Sequence, residues 1–406
     1  MKRFDMDGVH HDQLTKPLVS VVMPVYNAEK YLDLSLFSLK YQTFPQFEVL
    51  CIDDGSTDQS VEIISRYVQS DPRFKLLKQT HQFAGVARNL GIQHASGEYL
   101  LFLDADDYFA PNLLIDAYYQ AKLFDAEICV FAANYYDEKQ AIMGAMPVVC
   151  DFTRCPRNSI FSKETNLANI FTFTSPAPWS KLFKRQFILD KKIYFQNTRN
   201  ANDLRFVLTA LAEADRIVVL DKTLVYYRIS HGTSLQQTKD IDPTCICDAL
   251  SGLKAELIHR KLYEKLKQPY YSLAANHCLY NLKSLRRRQA FECLYHRLKI
   301  FLDAELNLSE IPESFIELGN PKDREEFFDI GRLNLEDYMC KYELFGMKKP
   351  PEKIAVLETK DLHIDTKNEP VNTNIPLYQK VHNYYKANGL WLTCRKIFSK
   401  LLKTSL

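Results

Sequence analysis

The apolar run YLLFL at residues 99–103 stops at Asp104, and Asp106 and Asp107 follow at once. Leu100 to Leu103 gain free energy by burial, so the run reads as one strand inside a sheet. Burying three unpaired carboxylates behind it costs roughly several kcal/mol apiece. The strand must therefore carry its acidic end to a solvent-lined crevice, where a cation is the natural partner. Ligands of open α/β sheets bind beyond the carboxyl ends of the strands. A single Asp at such a place is often only a helix cap. Three within four residues exceed what capping uses.

The neighbouring chain has the rhythm such a sheet requires. Residues 18–25 read as a buried strand, and residues 28–41 as a helix with Leu32, Leu36 and Leu39 on one stripe. Residues 47–52 form the next strand, followed by a turn at 53–58 in which Asp58 is placed to cap a helix running to Val68. A strand at 75–78, a helix at 85–94, the strand at 99–103, a helix at 112–124 and a strand at 128–132 complete the series. Crossovers of this length imply the α/β class with a doubly wound, mostly parallel sheet. Beyond Asn134 the rhythm breaks. A helix is expected near 164–171 and another at 205–214, with two short strands at 217–220 and 224–229. Residues 248–303 are helical in pattern throughout. The expected organisation is a tail at 1–16, an α/β domain at 17–235 in two halves (17–132 and 133–235) and a helical extension at 236–345. An irregular linker at 346–376 and a basic amphipathic tail at 377–406 follow.

Bulk properties remove several classes of function. With 406 residues, 46% apolar and 25% charged, this is a globular chain long enough for two or three domains. A formal net charge of +2 argues against a field for nucleic acid, so no nucleic-acid partner is expected. No apolar run approaches the roughly 18 residues of a spanning helix, and residues 1–16 lack an apolar leader core. A cytoplasmic location follows as the expectation, with ten cysteines as reduced core thiols. The segment from Leu377 has no acidic residue. From Gly389 it sets Leu390, Cys394, Ile397, Phe398 and Leu401 on one helical face, with Arg395, Lys396, Lys400 and Lys403 opposite. That pattern suits a helix lying on an anionic membrane surface, although a helix docked on the core shares the apolar stripe.

Three strand ends converge along one edge of the expected sheet. They carry Pro24-Val25-Tyr26-Asn27, then Asp53-Asp54-Gly55-Ser56, then the Asp104 cluster. An aromatic ring stacks on a base, a carboxylate accepts from a base imide or a ribose hydroxyl, and paired carboxylates hold a divalent ion against a diphosphate. Taken singly, Tyr26 reads as core and Asp54-Gly55 as a turn. Taken in this order, they describe a nucleotide diphosphate.

PVYNAEKYL (24–32), IDDGSTD (52–58), GVARNLGI (85–92) and GEYLLFLDADD (97–107) resemble the nucleotide-sugar-binding half of a family 2 glycosyltransferase of GT-A fold. PWSKLFKR (178–185), NDLRF (202–206) and YYRISHGTS (226–234) extend the resemblance more weakly. It implies transfer of a sugar, with inversion, from a nucleotide-diphosphate sugar (a UDP-sugar first) to a hydroxyl of a glycan or lipid-linked acceptor. Pro24, Tyr26, Asp54 and Arg88 are then expected at the donor, and Asp104 at the ribose or the metal. Asp106 is implied as a ligand of Mn²⁺ or Mg²⁺, His231 as a third ligand, and Asp107 as either a further ligand or a helix cap. The catalytic base sits in a Glu-Asp pair in that family, and Asn202-Asp203 stands there in this chain, making Asp203 the candidate. Trp179 and Lys181 are placed either on the acceptor side or, for Trp179, in the core. Two rivals remain. One is a DxD phosphatase, disfavoured because the cluster follows a fourth strand and Tyr108 stands where a hydroxyl residue belongs. The other is a donor-binding protein without turnover, for which the Asn202 departure is the only sign.

Overall fold

The computed structural model describes residues 16–137, 140, 142–229 and 239–344. In chain order the α/β part comprises β1 (Val19–Val25), α1 (Glu29–Lys40), β2 (Phe47–Asp53), α2 (Ser60–Ser70), β3 (Phe74–Lys78), α3 (Phe83–His94) and β4 (Tyr99–Phe102). It continues with β5 (Tyr108–Phe109), α4 (Leu113–Leu123), β6 (Ile128–Asp137), β7 (Ile142–Ala145), β8 (Lys181–Lys184), α5 (Arg185–Asp190), α6 (Asn202–Glu213) and β9 (Ile217–Ile229). The strands make one nine-stranded sheet in the order β3-β2-β1-β4-β8-β6-β9-β5, with β7 paired to β6. β3, β2, β1 and β4 are mutually parallel. The chain winds outward from β1 through β2 to β3, then returns to place β4 on the other side of β1. The switch point of the sheet thus lies between β1 and β4, where a crevice opens at the strand ends.

Alternation along the strands divides the core between two faces. Val19, Val21 and Met23 pack with Leu32, Leu36 and Leu39 of α1, together with apolar residues of α2 and α4. Val22, Leu100 and Phe102 face the other way, against Ala87 and Ile92 of α3 and Leu204 to Leu211 of α6. The same core continues into α7 (Cys245–His259), α8 (Tyr263–Ser284), α9 (Arg288–Ala304), α10 (Pro321–Arg332) and α11 (Leu335–Lys341). Tyr270, Tyr295 and Tyr338 are buried there, each with its hydroxyl donating to an oxygen of the extension. The helices of the extension therefore buttress α6 rather than forming a separate core.

Several sequence expectations need correction. The sheet is mixed beyond β4, because β8 runs antiparallel between β4 and β6. Only Leu182 and Phe183 of KLFK are apolar, too short a run to announce a strand in a central slot. Residues 217–229 are one strand rather than two: Asp221 and Lys222 protrude at a register shift against β6, so a bulge imitates a turn. The helix expected near 164–171 is a single 3₁₀ turn at Leu167–Asn169. The stretch 248–303 is not one continuous helix: it breaks at Lys261, whose φ is 59°, and again between Ser284 and Arg288. Asp58 stands one residue before the N-cap of α2, which is Gln59, and its carboxylate accepts from Ser60 N and from Glu29 N at 3.0 Å each, joining two helix starts. Residues 1–15, the linker 346–376, the tail 377–406 and His231 lie outside the described residues. Among the described residues, no helix is long and apolar enough to cross a membrane.

Candidate active site

At the end of β1 the chain turns at Asn27, whose φ of 48° is left-handed. Its side chain accepts from Thr57 N at 2.8 Å, binding the loop after β1 to the loop after β2. Tyr26 stays 48% exposed, so it is not a core residue. Asp54 is buried and densely bonded. Gln79 Nε2 at 2.7 Å and Gln82 N at 2.8 Å donate to its Oδ1, and His81 Nδ1 lies 2.9 Å from Oδ2. Gly55 (φ 79°) allows this approach, since a Cβ there would sit 3.2 Å from His81 N. The His81 ring stacks on Tyr26 with centroids 4.1 Å apart.

The three carboxylates after β4 meet three fates. Asp104 Oδ1 accepts from Arg88 NH2 at 2.7 Å, with its side chain 30% exposed. Burial raises its proton affinity, Arg88 opposes, and the charge of Asp106 adds to the rise. Asp106 remains half-buried at the edge, and its carbonyl accepts from Arg228 Nε at 2.9 Å. Asp107 is wholly buried: Oδ1 accepts from Arg228 N at 2.9 Å, while Oδ2 has no partner. Burial, then the charges of Asp106 and Asp104, push its pKa well up. Asp107 thus braces β9. It is not the cap of α4, whose N-cap is Asn112.

Arg88, on α3, links the two sides of the crevice. Besides Asp104, its NH1 donates to Asn202 Oδ1 at 2.9 Å at the start of α6. Asn89, its neighbour, exchanges two hydrogen bonds with the Phe195 backbone at 2.8 and 2.9 Å, fixing the loop that leads to α6. Gly85 is required there, because a Cβ would stand 2.2 Å from Gln196 O. Asp203 follows in the first turn of α6. Burial raises its pKa, the Arg88 guanidinium opposes, and the charge of Asp104 adds to the rise. Asp203 and Asp104 therefore lie within each other's field with one arginine between them.

Among the described residues, no three carboxylate, imidazole or thiol side chains gather as a metal cluster. Trp179 belongs to the core, stacked on Tyr227 at 5.5 Å. Lys181 does not line an open acceptor face. It is fully buried, donates to Ser175 O, Ala177 O and Ser180 Oγ at 2.8, 2.9 and 3.1 Å, and burial brings its pKa down to about 7. The sequence gives no sign of Gln79, His81 and Gln82, which sit in a loop without a spacing signal and which only the fold sets against Asp54. Arg228, by contrast, lies in the YYRISHGTS segment and is brought against Asp106 and Asp107.

The doubly wound sheet, with an acidic strand end at its switch point and α6 opposite, is the GT-A fold of glycosyltransferases. Residues 20–187 match the family model described as glycosyl transferase family 2. Glycosyltransferase GlyG of Streptococcus pneumoniae is 28% identical over 306 residues, covering 71% of this chain and 97% of that protein. The poly(ribitol-phosphate) beta-N-acetylglucosaminyltransferase TarS of Staphylococcus aureus is 28% identical over 255 residues, 61% of this chain and 42% of its own length. Among solved structures, TarS residues 1–349 in complex with UDP-GlcNAc has the same fold. Its TM-score is 0.64 at 22% identity, over 80% of this chain and 91% of that one.

Proposed function

We propose that this chain transfers a sugar, with inversion and with a divalent metal ion, from a UDP-sugar to a hydroxyl of a cell-surface glycan or lipid-linked precursor. One observation carries the reading: Arg88 ties Asp104, at the donor edge, to the first residue of the helix that bears Asp203. Donor-side and acceptor-side carboxylates thereby share one rigid frame. Pro24, Tyr26 and Asp54 at the ends of β1 and β2 suit the nucleobase, by a ring face and a carboxylate acceptor. Asp104 and Asp106 would hold Mn²⁺ or Mg²⁺, which supplies neutralisation of the departing diphosphate when bound. The fit rests on the donor set: mutually repelling oxygen anions whose protonation burial already favours at Asp104.

Asp203 then accepts the proton of the attacking hydroxyl. A raised pKa makes it a stronger base than an exposed carboxylate, and the Arg88 charge opposes the rise. Asn202 in place of a glutamate removes one charge, so Asp104 is the anion that Arg88 pairs. Asn202 also donates to Thr198 O at 3.2 Å, which supports a shaping role in the acceptor loop. TarS is named for poly(ribitol-phosphate) and has been solved with UDP and with UDP-GlcNAc, which favours a uridine donor here. Peripheral attachment to an anionic membrane through residues 377–406 belongs to the same proposal and rests on sequence. The decisive experiment is a panel of UDP-, GDP- and CMP-sugars assayed for Mn²⁺-dependent hydrolysis. Release of sugar from one nucleotide class, lost in Asp106→Ala, supports the reading, and inertness towards all of them refutes it.

A further inference from the structure

We infer that His81 is an internal stand-in for the donor's nucleobase, and that donor binding proceeds by displacing its ring from between Tyr26 and Asp54. The inference rests on the donor reading above and names the residue that sets its affinity. The imidazole makes both contacts that the base needs. Its face lies on Tyr26 at 4.1 Å with an interplanar angle of 25°. Its Nδ1 is 2.9 Å from Asp54 Oδ2 and 3.2 Å from the Asp54 carbonyl, so Nδ1 carries the proton and donates. Gln79 and Gln82 occupy Oδ1, which leaves Oδ2 as the acceptor for an imide N–H, and His81 holds it. One aromatic ring fits against this face and this oxygen, not two.

The release has a simple mechanical route. Gly55 closes on the His81 backbone, while Phe83 meets the ring only edge-on at 4.9 Å and leaves the face on Tyr26 to be vacated. Phe83 itself holds a φ of 68°, a conformation that L side chains rarely adopt and that the packing of the loop must sustain. The His81 side chain, 39% exposed, is open towards solvent. Rotation about its side-chain bonds, rather than movement of the loop, clears the place. Apparent affinity is then the intrinsic affinity scaled by the fraction of molecules with the ring out. Displacement also filters bases. Uracil and guanine bring a ring N–H that restores the bond to Asp54, whereas the corresponding ring nitrogen of cytosine carries no proton.

Calorimetry with Mn²⁺ on wild type, His81→Ala and His81→Asn tests this, using UDP, GDP, CDP and inorganic pyrophosphate as titrants. Removing the stacked, hydrogen-bonded ring should tighten UDP binding by about five- to thirtyfold in His81→Ala, from the usual strength of one stack and one hydrogen bond. His81→Asn, which can still donate but cannot stack, should fall between that variant and wild type. Pyrophosphate should bind all three alike. UDP binding that weakens or stays constant in both variants overturns the inference and leaves the donor reading intact. A gain for pyrophosphate equal to that for UDP also overturns it, since the ring would then not be competing with a base. Absence of binding by UDP and GDP to every protein, wild type included, overturns the donor reading and this inference together.

Discussion

Ionisable side chains behave oppositely at the crevice and in the helical extension. At the crevice, burial wins over pairing: Asp104, Asp107 and Asp203 all have proton affinities pushed above that of an ordinary carboxylate. Where the extension meets the sheet domain, pairing wins over burial. Arg205 and Arg260 hold Glu256 below its usual range, and Lys191 and Arg260 do the same for Glu213. Further out, Lys283 bridges Asp323 and Glu326 at 2.9 and 2.6 Å. Each of these scaffold carboxylates is paired directly with at least one cation. The crevice gathers three carboxylates with raised pKa values, and Arg88 there divides its guanidinium between Asp104 and the neutral Asn202. Strain left uncompensated by protein is where a ligand's charge has work to do.

That contrast breaks first at Asp106. Asp106→Ala should lower Mn²⁺-dependent hydrolysis and transfer by about 10³-fold or more, the scale of losing a main electrostatic stabiliser. Glu256→Gln should change kcat by less than about twofold, since exposed or paired scaffold charges act on stability alone. Comparable losses in both variants would erase the distinction.

Next comes Asp203→Asn, which should reduce kcat by about 10²–10⁴-fold while the Kd for UDP stays near wild type. Retained transfer removes Asp203 from the mechanism. A base must be deprotonated to act, so the rate should rise with pH through the Asp203 pKa. Because that pKa is raised, the acid limb should lie above the usual carboxylate range. Arg88 pulls the Asp203 and Asp104 values down. Arg88→Met should therefore move the limb to higher pH, with a rate loss of roughly ten- to a hundredfold from misplacement. A limb that stays put in Arg88→Met separates the arginine from the base.

Stability offers a smaller and differently signed test. Asp107 has a folded pKa above its unfolded value, so what it contributes is present at low pH and lost as pH rises through the folded value. Asp107→Asn keeps the acceptor for Arg228 N and removes the stranded charge at Oδ2. Denaturation at pH 8 should show a gain of about 1 kcal/mol or more, shrinking towards pH 5. A loss at pH 8 would mean that the charge is compensated and the comparison above is mis-drawn. The smallest effect on chemistry is expected from deleting residues 389–406. Turnover on a soluble acceptor should be unchanged while sedimentation with anionic vesicles disappears, and unaltered sedimentation excludes the tail as an anchor.

The sequence disclosed the donor half far better than the rest, for a physical reason. Parallel strands buried on both faces are continuous apolar runs, and their crossovers are helices with a clear stripe, so β1 to β4 stand out residue by residue. Tyr26, Asp54 and Asp104 follow, because the strand ends themselves place them. β8 was hidden because a strand of four residues draws its identity from its neighbours, and β9 because a bulge breaks the alternation. The loop that carries His81 and the loop at Gln196 that leads to α6 take a course that depends on Gly55 and Gly85 meeting other backbone at close range. Such contacts are tertiary and leave no period in the chain. Lys181 reads as a surface residue on its own chemistry, yet three oxygens of the preceding loop make its burial possible.

The placement of β8 also governs the order in which the molecule can be assembled as it leaves the ribosome. Leu100 pairs with Phe183, and Phe183 in turn with Ile128, so the slot between β4 and β6 is filled by the latest of the three to be synthesised. A nascent chain ending before residue 181 can form the β3-β2-β1-β4 half-sheet but leaves β4 with a bare edge, a surface open to mispairing. Arrested chains ending on either side of residues 181–184 should differ sharply in resistance to protease along β4, the longer ones alone being sealed.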